Sequence, residues 1–231
     1  MKNHKIRFRK KTYQGVIYWS YQSDKELNDL MHILERQVRE QFKIRKRIVV
    51  TSVPIDSEHG EIELRIDNVV FKRYLLLGIE TLYLNVDDMI EYNGAAQDIF
   101  KEEGVYGRKG VTDISTLEYT IEDVKNSVYF GVDRSPSIAL KAAKYWHRTA
   151  YYQAFSNGNK RTGLLAALMF LYLNYYIFDE EQSKADLYES ISVKIANRKL
   201  SEYDVYMFII NNVNYDIERS TKDFIMRGKS K

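Results

Sequence analysis

Two helix-forming segments separated by a short polar stretch constrain this chain more than anything else in it. Ser135-Pro136-Ser137 offers an N-cap with proline at the first helical position, and Ile138 to Tyr152 then runs without Pro or Gly. Lys160 to Tyr176 is apolar on nearly every side, through Leu164, Leu165, Ala166, Ala167, Leu168, Met169, Phe170, Leu171 and Leu173, which predicts a buried central helix. Gln153 to Arg161, QAFSNGNKR, is then a loop that hands its last residues to the start of the second helix. Such a start has unpaired backbone N–H groups and the positive end of the helix dipole, and Gly158 lets the backbone approach a ligand closely. Lys160 adds a compact cation and Arg161 a planar fork suited to holding a phosphate with two bonds. The stretch outlines a phosphate site; local physics equally admits an Asn-Gly turn followed by two solvated basic residues.

These residues resemble the signature of the Fic/Doc family, a His-x-Phe-x-(Asp/Glu)-(Gly/Ala)-Asn-(Gly/Lys)-Arg loop joining two helices of a small all-helical domain. Phe155, Gly158, Asn159, Lys160 and Arg161 match, and the lysine followed by Arg-Thr is the Doc-like form. Residues 83 to 215 follow the Doc-like order of helices, including the turn Gly107-Arg108-Lys109-Gly110-Val111-Thr112-Asp113. The resemblance implies an ATP-dependent transferase of toxin type, with ATP and Mg2+ as cofactors. It would pass a phosphoryl or AMP group to a protein acceptor with a hydroxyl side chain and be restrained by an antitoxin. The lysine variant leans toward phosphoryl transfer. By the same resemblance Gly158, Asn159, Lys160 and Arg161 hold the nucleotide, Arg161 is also catalytic, and Phe155 anchors the loop.

Two departures bear on activity. The family's general base falls on Gln153, whose amide has no titratable proton near neutral pH. The family's acidic metal-side residue falls on Asn157, which can offer an oxygen to Mg2+ but no charge. Nucleotide binding is expected to be retained and catalysis impaired. His147, six residues before Gln153, is rotated by roughly 240° on a helix and is a poor substitute. The alternatives are a non-catalytic regulator that binds nucleotide or protein, and a nucleic-acid-associated regulator acting through the N-terminal region.

That region is basic. Residues 1 to 50 hold 13 Lys or Arg against 5 Asp or Glu, whereas the whole chain stands at +3. Such a split suits nucleic acid or an acidic protein, or is simply a solvated surface. Arg and Lys interleave with Phe, Tyr and Trp over residues 5 to 21, which predict two short strands turning near Gln14-Gly15. Ser23 and Glu26 form a capping box before a helix with Leu27, Leu30, Met31, Leu34 and Val38 inside, followed by the cluster Lys43, Arg45, Lys46, Arg47. Ile48 to Val53 and Glu61 to Tyr74 read as strands, and a domain junction is placed between Tyr74 and Tyr83. The chain is thus expected to be α+β: a small α+β domain over residues 1–80 and a mainly α-helical Fic/Doc-like domain over residues 81–231.

In the second domain Asn85 and Asp88 cap a helix with Met89, Ile90, Ile99 and Phe100 on one face. Leu187, Ile191 and Ile195 mark another, and Ser201 with Asp204 caps a last one carrying Val205, Phe208 and Ile209. Residues from Ile217 on are expected to fray. The chain lacks cysteine, which excludes disulfides, thiolate zinc sites and cysteine nucleophiles, and His4, His32, His59 and His147 lie too far apart for a metal-ligand spacing. Gly163 to Leu171 is about half the roughly 20 residues a membrane helix needs. With no secretory pattern at the start, a cytoplasmic protein without a membrane partner is expected.

Overall fold

The computed structural model describes residues 5–99, 110–178 and 185–229. The chain divides into two compact units, one of Met1–Thr81, Asn174–Ile177 and Val213–Lys231, the other of Leu82–Leu173 and Phe178–Asn212. The expected boundary near residue 80 is therefore crossed again, because residues 174–177 and 213–231 join the first unit.

The first unit is mixed. β1 (Ile6–Phe8) and β2 (Lys11–Tyr13) form an antiparallel hairpin. Its turn residues Arg9 and Lys10 both take positive φ, 43° and 65°, the geometry that matches strand twist. Neither residue is a turn-former, so three strands stand where the sequence suggests two. β3 (Val16–Trp19), β4 (Ile48–Pro54), β5 (His59–Ile66) and β6 (Val69–Gly78) form a sheet ordered β3-β6-β5-β4. β3 runs parallel to β6 and the other neighbours are antiparallel. A second turn without glycine, Asp67-Asn68 at φ 48° and 66°, splits the strand expected over 61–74 into β5 and β6.

Helix α1 (Asp24–Gln41) starts as the capping pattern predicts, with Ser23 Oγ accepting the Glu26 N–H at 3.0 Å. Its buried face is Glu26, Asp29, Leu30, Ile33, Leu34 and Val38. Leu27 and Met31, expected inside, are half-buried. Glu26 is tolerated there because the Tyr176 hydroxyl donates to it at 2.6 Å. Glu61 and Glu63, also buried, are held by Lys11, Arg65 and Arg73. Arg73 and Arg65 pull the Glu63 carboxyl down to about 2.

Two short strands, β9 (Tyr176–Phe178) and β10 (Val213–Tyr215), pair with each other, and α8 (Ile217–Lys229) follows. The charged tail expected to fray is thus a helix. Its inner contacts with β3 are polar: Thr221 Oγ1 accepts the Val16 N–H at 2.9 Å, and Ser220 Oγ donates to the Val16 carbonyl at 2.7 Å. A hydrophobic-periodicity reading passes over such a face. Gly15 permits the approach, since a Cβ there would meet Ile217 Cγ2 at 2.7 Å and Thr221 Oγ1 at 2.8 Å.

The second unit is mainly helical: α2 (Val86–Ile99), α3 (Ile114–Lys125), α4 (Ile138–Tyr152), α5 (Asn159–Leu173), α6 (Ala185–Ala196) and α7 (Glu202–Asn212), with a hairpin of β7 (Val128–Tyr129) and β8 (Val132–Asp133). The centre is α4, which packs on α3, α5, α6 and α7. The sequence points instead to α5, but that helix buries one side only, Thr162, Gly163, Ala166, Ala167, Phe170 and Leu171, while Leu164, Leu165, Leu168 and Met169 are half-buried. Alanines are the reason: Ala139, Ala142, Ala143 and Ala150 let neighbours close on α4 from several sides. Asn85 with Asp88, and Ser201 with Asp204, cap their helices reciprocally as expected. Ile90 and Leu187, expected inside, are exposed.

Thr221→Val should leave the buried Val16 N–H without an acceptor at nearly constant side-chain volume. A loss of about 1–3 kcal/mol is expected in denaturant unfolding.

Candidate functional site

The loop between α4 and α5 is fixed from three directions. Gln153 ends α4 with a left-handed backbone, φ 56° and ψ 50°, and its side chain is exposed. Ala154 and Phe155 then turn inward and are buried. The Ala154 carbonyl accepts the N–H groups of Thr112 (2.8 Å) and Asp113 (3.1 Å) and the Thr112 hydroxyl (3.0 Å). Phe155 forms a bridge with Val111, and the Ser156 N–H donates to the Gly110 carbonyl at 3.0 Å. The expected glycine-rich turn therefore abuts the motif through Gly110 to Asp113. Gly107, Arg108 and Lys109, like Phe100, lie outside the described residues.

A second clamp comes from α2. Asn93, buried, donates through Nδ2 to the Asn157 carbonyl and to Thr162 Oγ1, both at 2.9 Å, and accepts from Gln97 Nε2 at 2.8 Å. The third is internal. The Asn159 amide accepts the Phe155 N–H at 2.9 Å and donates to the Phe155 carbonyl at 2.7 Å. Its side chain is thus spent on the shape of the loop, while Phe155 sits as an anchor. Asn157 Oδ1 accepts the Gly158 N–H at 2.7 Å. Gly158 has φ 77°, and a Cβ there would come within 3.1 Å of Asn93 Nδ2, so glycine is required on two counts.

What the loop offers outward is the start of α5. The Gly158 carbonyl begins the helix by accepting the Thr162 N–H at 2.9 Å, so the positive end of the α5 dipole lies at this turn. Lys160 is exposed and Arg161 half-buried on this first turn. Gln153, Asn157, Gly158, Lys160 and Arg161 therefore surround one short stretch of chain, whereas Phe155 and Asn159 support it. The arrangement can hold an anion through backbone N–H groups and two cations. Among the described residues no cluster of three or more His, Cys, Asp or Glu side chains gathers to hold a metal ion. His147 is tied down elsewhere, its Nε2 against the Leu200 carbonyl at 3.0 Å and its ring stacked on Tyr151.

Sequence reading passes over Asn93, Gln97, Thr112 and Thr162. One signal was present: a lone asparagine on the face of α2 that also carries Met89 and Ala96, both buried. It also passes over a buried polar network along α4. Lys141, without exposed surface, donates to the Val124 carbonyl (2.7 Å) and Ser127 Oγ (2.9 Å), and Ser127 donates to Asp133 (2.6 Å). Burial pushes the Lys141 ammonium down to about 8. Asp123 pairs with Lys144 (2.7 Å) and Arg148 (2.5 Å) and accepts from the Tyr129 hydroxyl. Burial acts to raise its carboxyl, and the bonds from Lys144 and Tyr129 with the charge of Arg148 outweigh it, so the net direction is down. These contacts seat the end of α3 and the β7–β8 hairpin on α4.

Residues 83–171 match the model of the Fic/DOC family. The matched stretch, less than half of the chain, is similar to that family and spans α2 to α5 with the loop between the last two. No curated protein matches the chain.

Asn159→Ala should free the Phe155 N–H and carbonyl together. A loss of about 1–3 kcal/mol is expected, with faster hydrogen exchange at the Phe155 amide. Lys141 gives a pH signature. Its folded pKa, about 8, lies below the ordinary lysine value of 10.5, so between those values the unfolded chain binds more protons and stability from this group rises with pH. The stability difference between the native chain and Lys141→Met should therefore grow from pH 8 to pH 10, by an amount of order 3 kcal/mol over the whole window, in denaturant titrations at each pH.

Proposed function

We propose that the helical unit binds ATP at the start of α5 and descends from, or still is, a Doc-like transferase that passes a phosphoryl or AMP group to a protein hydroxyl. The observation that carries this reading is the loop itself, held from α2, from Gly110–Asp113 and from Asn159, and leading into the first turn of α5, where Lys160 is exposed and Arg161 half-buried. Preorganised donors and cations are what phosphoryl transfer asks of a protein, since positioning and charge neutralisation supply most of its catalysis.

The residues suit the phosphates better than the metal. Mg2+ prefers carboxylates, and the loop offers the Asn157 amide oxygen, already accepting from Gly158. The nucleotide's own phosphates would supply most of the ligands. Lacking a titratable group, Gln153 makes the chain as it stands impaired in transfer. It equally favours the second reading, a nucleotide- or protein-binding regulator on a degenerate transferase fold. An antitoxin partner and a cytoplasmic location accompany the first reading. Among the described residues no helix is long and apolar enough to cross a membrane.

A nucleic-acid role for residues 1–50 has less support. Arg9, Lys11, Lys25, Arg36, Arg39 and Lys46 each pair with a carboxylate of the first unit, which reduces the cationic surface open to phosphates.

The test is label transfer from ATP carrying label on the α or the γ phosphate to proteins of a bacterial lysate, comparing the native chain with Gln153→His. Transfer by the histidine variant at a rate about 10² to 10⁴ above the native chain is expected, and the label position names the reaction. Transfer by neither, with ATP still bound, favours the regulator. Lys160→Ala with Arg161→Ala is expected to abolish ATP binding in calorimetry, and unchanged affinity would remove the phosphate site.

A further inference from the structure

The sheet of the first unit treats its two edges differently. At β3 the outer backbone is satisfied group by group: Val16 by Thr221 and Ser220, and Tyr18 by the Tyr215 hydroxyl, which accepts its N–H at 2.7 Å. At β4, the other edge, β5 is the one pairing strand among the described residues. The Ile55 N–H donates to the His59 carbonyl at 2.8 Å across the turn, and this sets the alternation along the register. Val53, Thr51 and Val49 turn their backbone groups to Glu61, Glu63 and Arg65 of β5, and Ser52, Val50 and Ile48 turn theirs outward. Pro54 occupies the next outward position, where a missing N–H leaves the β4–β5 ladder intact.

From Ile48 to Val53 this edge has none of the usual protections. It is uncharged, mostly β-branched and without a bulge against β5. Its two ends, however, carry opposite charge. Lys43, Arg45 and Arg47 precede it, beside Lys46, which pairs with Asp67, and Glu58 follows it, beside Asp56, which pairs with Arg9.

We propose that β4 pairs antiparallel with β4 of a second copy of this chain, about a twofold axis at Val50, joining two four-stranded sheets into one. Antiparallel self-pairing sets the acidic end of each copy against the basic end of the other, whereas a parallel pairing would set like charges together. In this register Val50 faces Val50 and Ile48 faces Ser52, so every outward N–H from Ile48 to Ser52 meets a carbonyl. Pro54 faces Lys46, whose carbonyl already accepts the Arg39 guanidinium at 3.2 Å. The ladder ends where Pro54 has no N–H to give and Lys46 needs none.

Sedimentation of the full chain at low salt should give a dimer that weakens as salt is added. A chain that stays monomeric as concentration is raised, including one that pairs only with a different protein, overturns the proposal. Ser52→Pro removes an outward N–H and spares the ladder to β5, so it should be monomeric with an unchanged circular dichroism spectrum. Because that variant could fold poorly, Arg45→Glu with Arg47→Glu, at exposed positions outside the ladder, provides a second arm. It should raise the dimer Kd by about tenfold or more. In the native chain, exchange protection at the Ile48, Val50 and Ser52 amides should fall on dilution. A dimer that survives the charge reversal with those amides unprotected would lie on another surface and overturn the assignment to β4.

Discussion

The contact between α4 and α5 sets the position of everything in the helical unit that bears on a ligand. At Gly163 the two helices come so close that a Cβ would lie 2.7 Å from the Trp146 carbonyl and 3.3 Å from the Ala150 N–H. With the axes pressed together, the segment from Gln153 to Gly158 must reverse direction in little space and still find partners for its backbone. It finds them in Thr112, Asp113 and Gly110 on one side and in Asn93 on the other. A loop so determined has its shape before any ligand arrives, whereas a mobile loop would have to be ordered at an entropic cost on binding.

This division of labour separates residues that shape the site from residues that face a ligand. Asn159 opens α5 beside Lys160 and Arg161, yet both ends of its amide close on Phe155. Phe155 is buried beneath the loop, and Gly158 combines a positive φ with the absence of a Cβ that would press on Asn93. Lys160 and Arg161 are left with the outward role. Gln153 stands at the exposed end of α4 in a left-handed conformation, so substitution there exchanges chemistry without disturbing a buried contact.

The first unit follows a different rule, that of the sheet edge. One edge is covered by hydroxyls of α8 and by Tyr215. The sheet's carboxylates Glu61 and Glu63 are likewise neutralised from within, by Lys11, Arg65 and Arg73. Much of the basic N-terminal composition is therefore internal pairing rather than a cationic surface. At β4, the other edge, β5 is the one pairing strand among the described residues, and basic residues precede the strand while acidic ones follow it.

Local chemistry determined a good part of this protein. Ser23, Asn85 and Ser201 sit where side-chain oxygens cap helices, and their helices begin there, whereas α4 is capped by Ser137 and leaves Pro136, expected at its first position, outside the helix. The QAFSNGNKR stretch announced a loop between two helices, and the loop stands between α4 and α5. Tertiary structure decided the rest. The turns Arg9-Lys10 and Asp67-Asn68 adopt positive φ with no glycine to mark them, since the pairing of their flanking strands imposes it. Helix α8 packs through hydroxyls, so apolar periodicity could not reveal it, and α4 rather than α5 became central because small side chains, not the greasiest ones, allow neighbours on every side. Asn93 acquired its place at the loop only when α2 folded against α5, for a hydrogen bond between residues 64 positions apart is a property of packing and not of any local stretch of sequence.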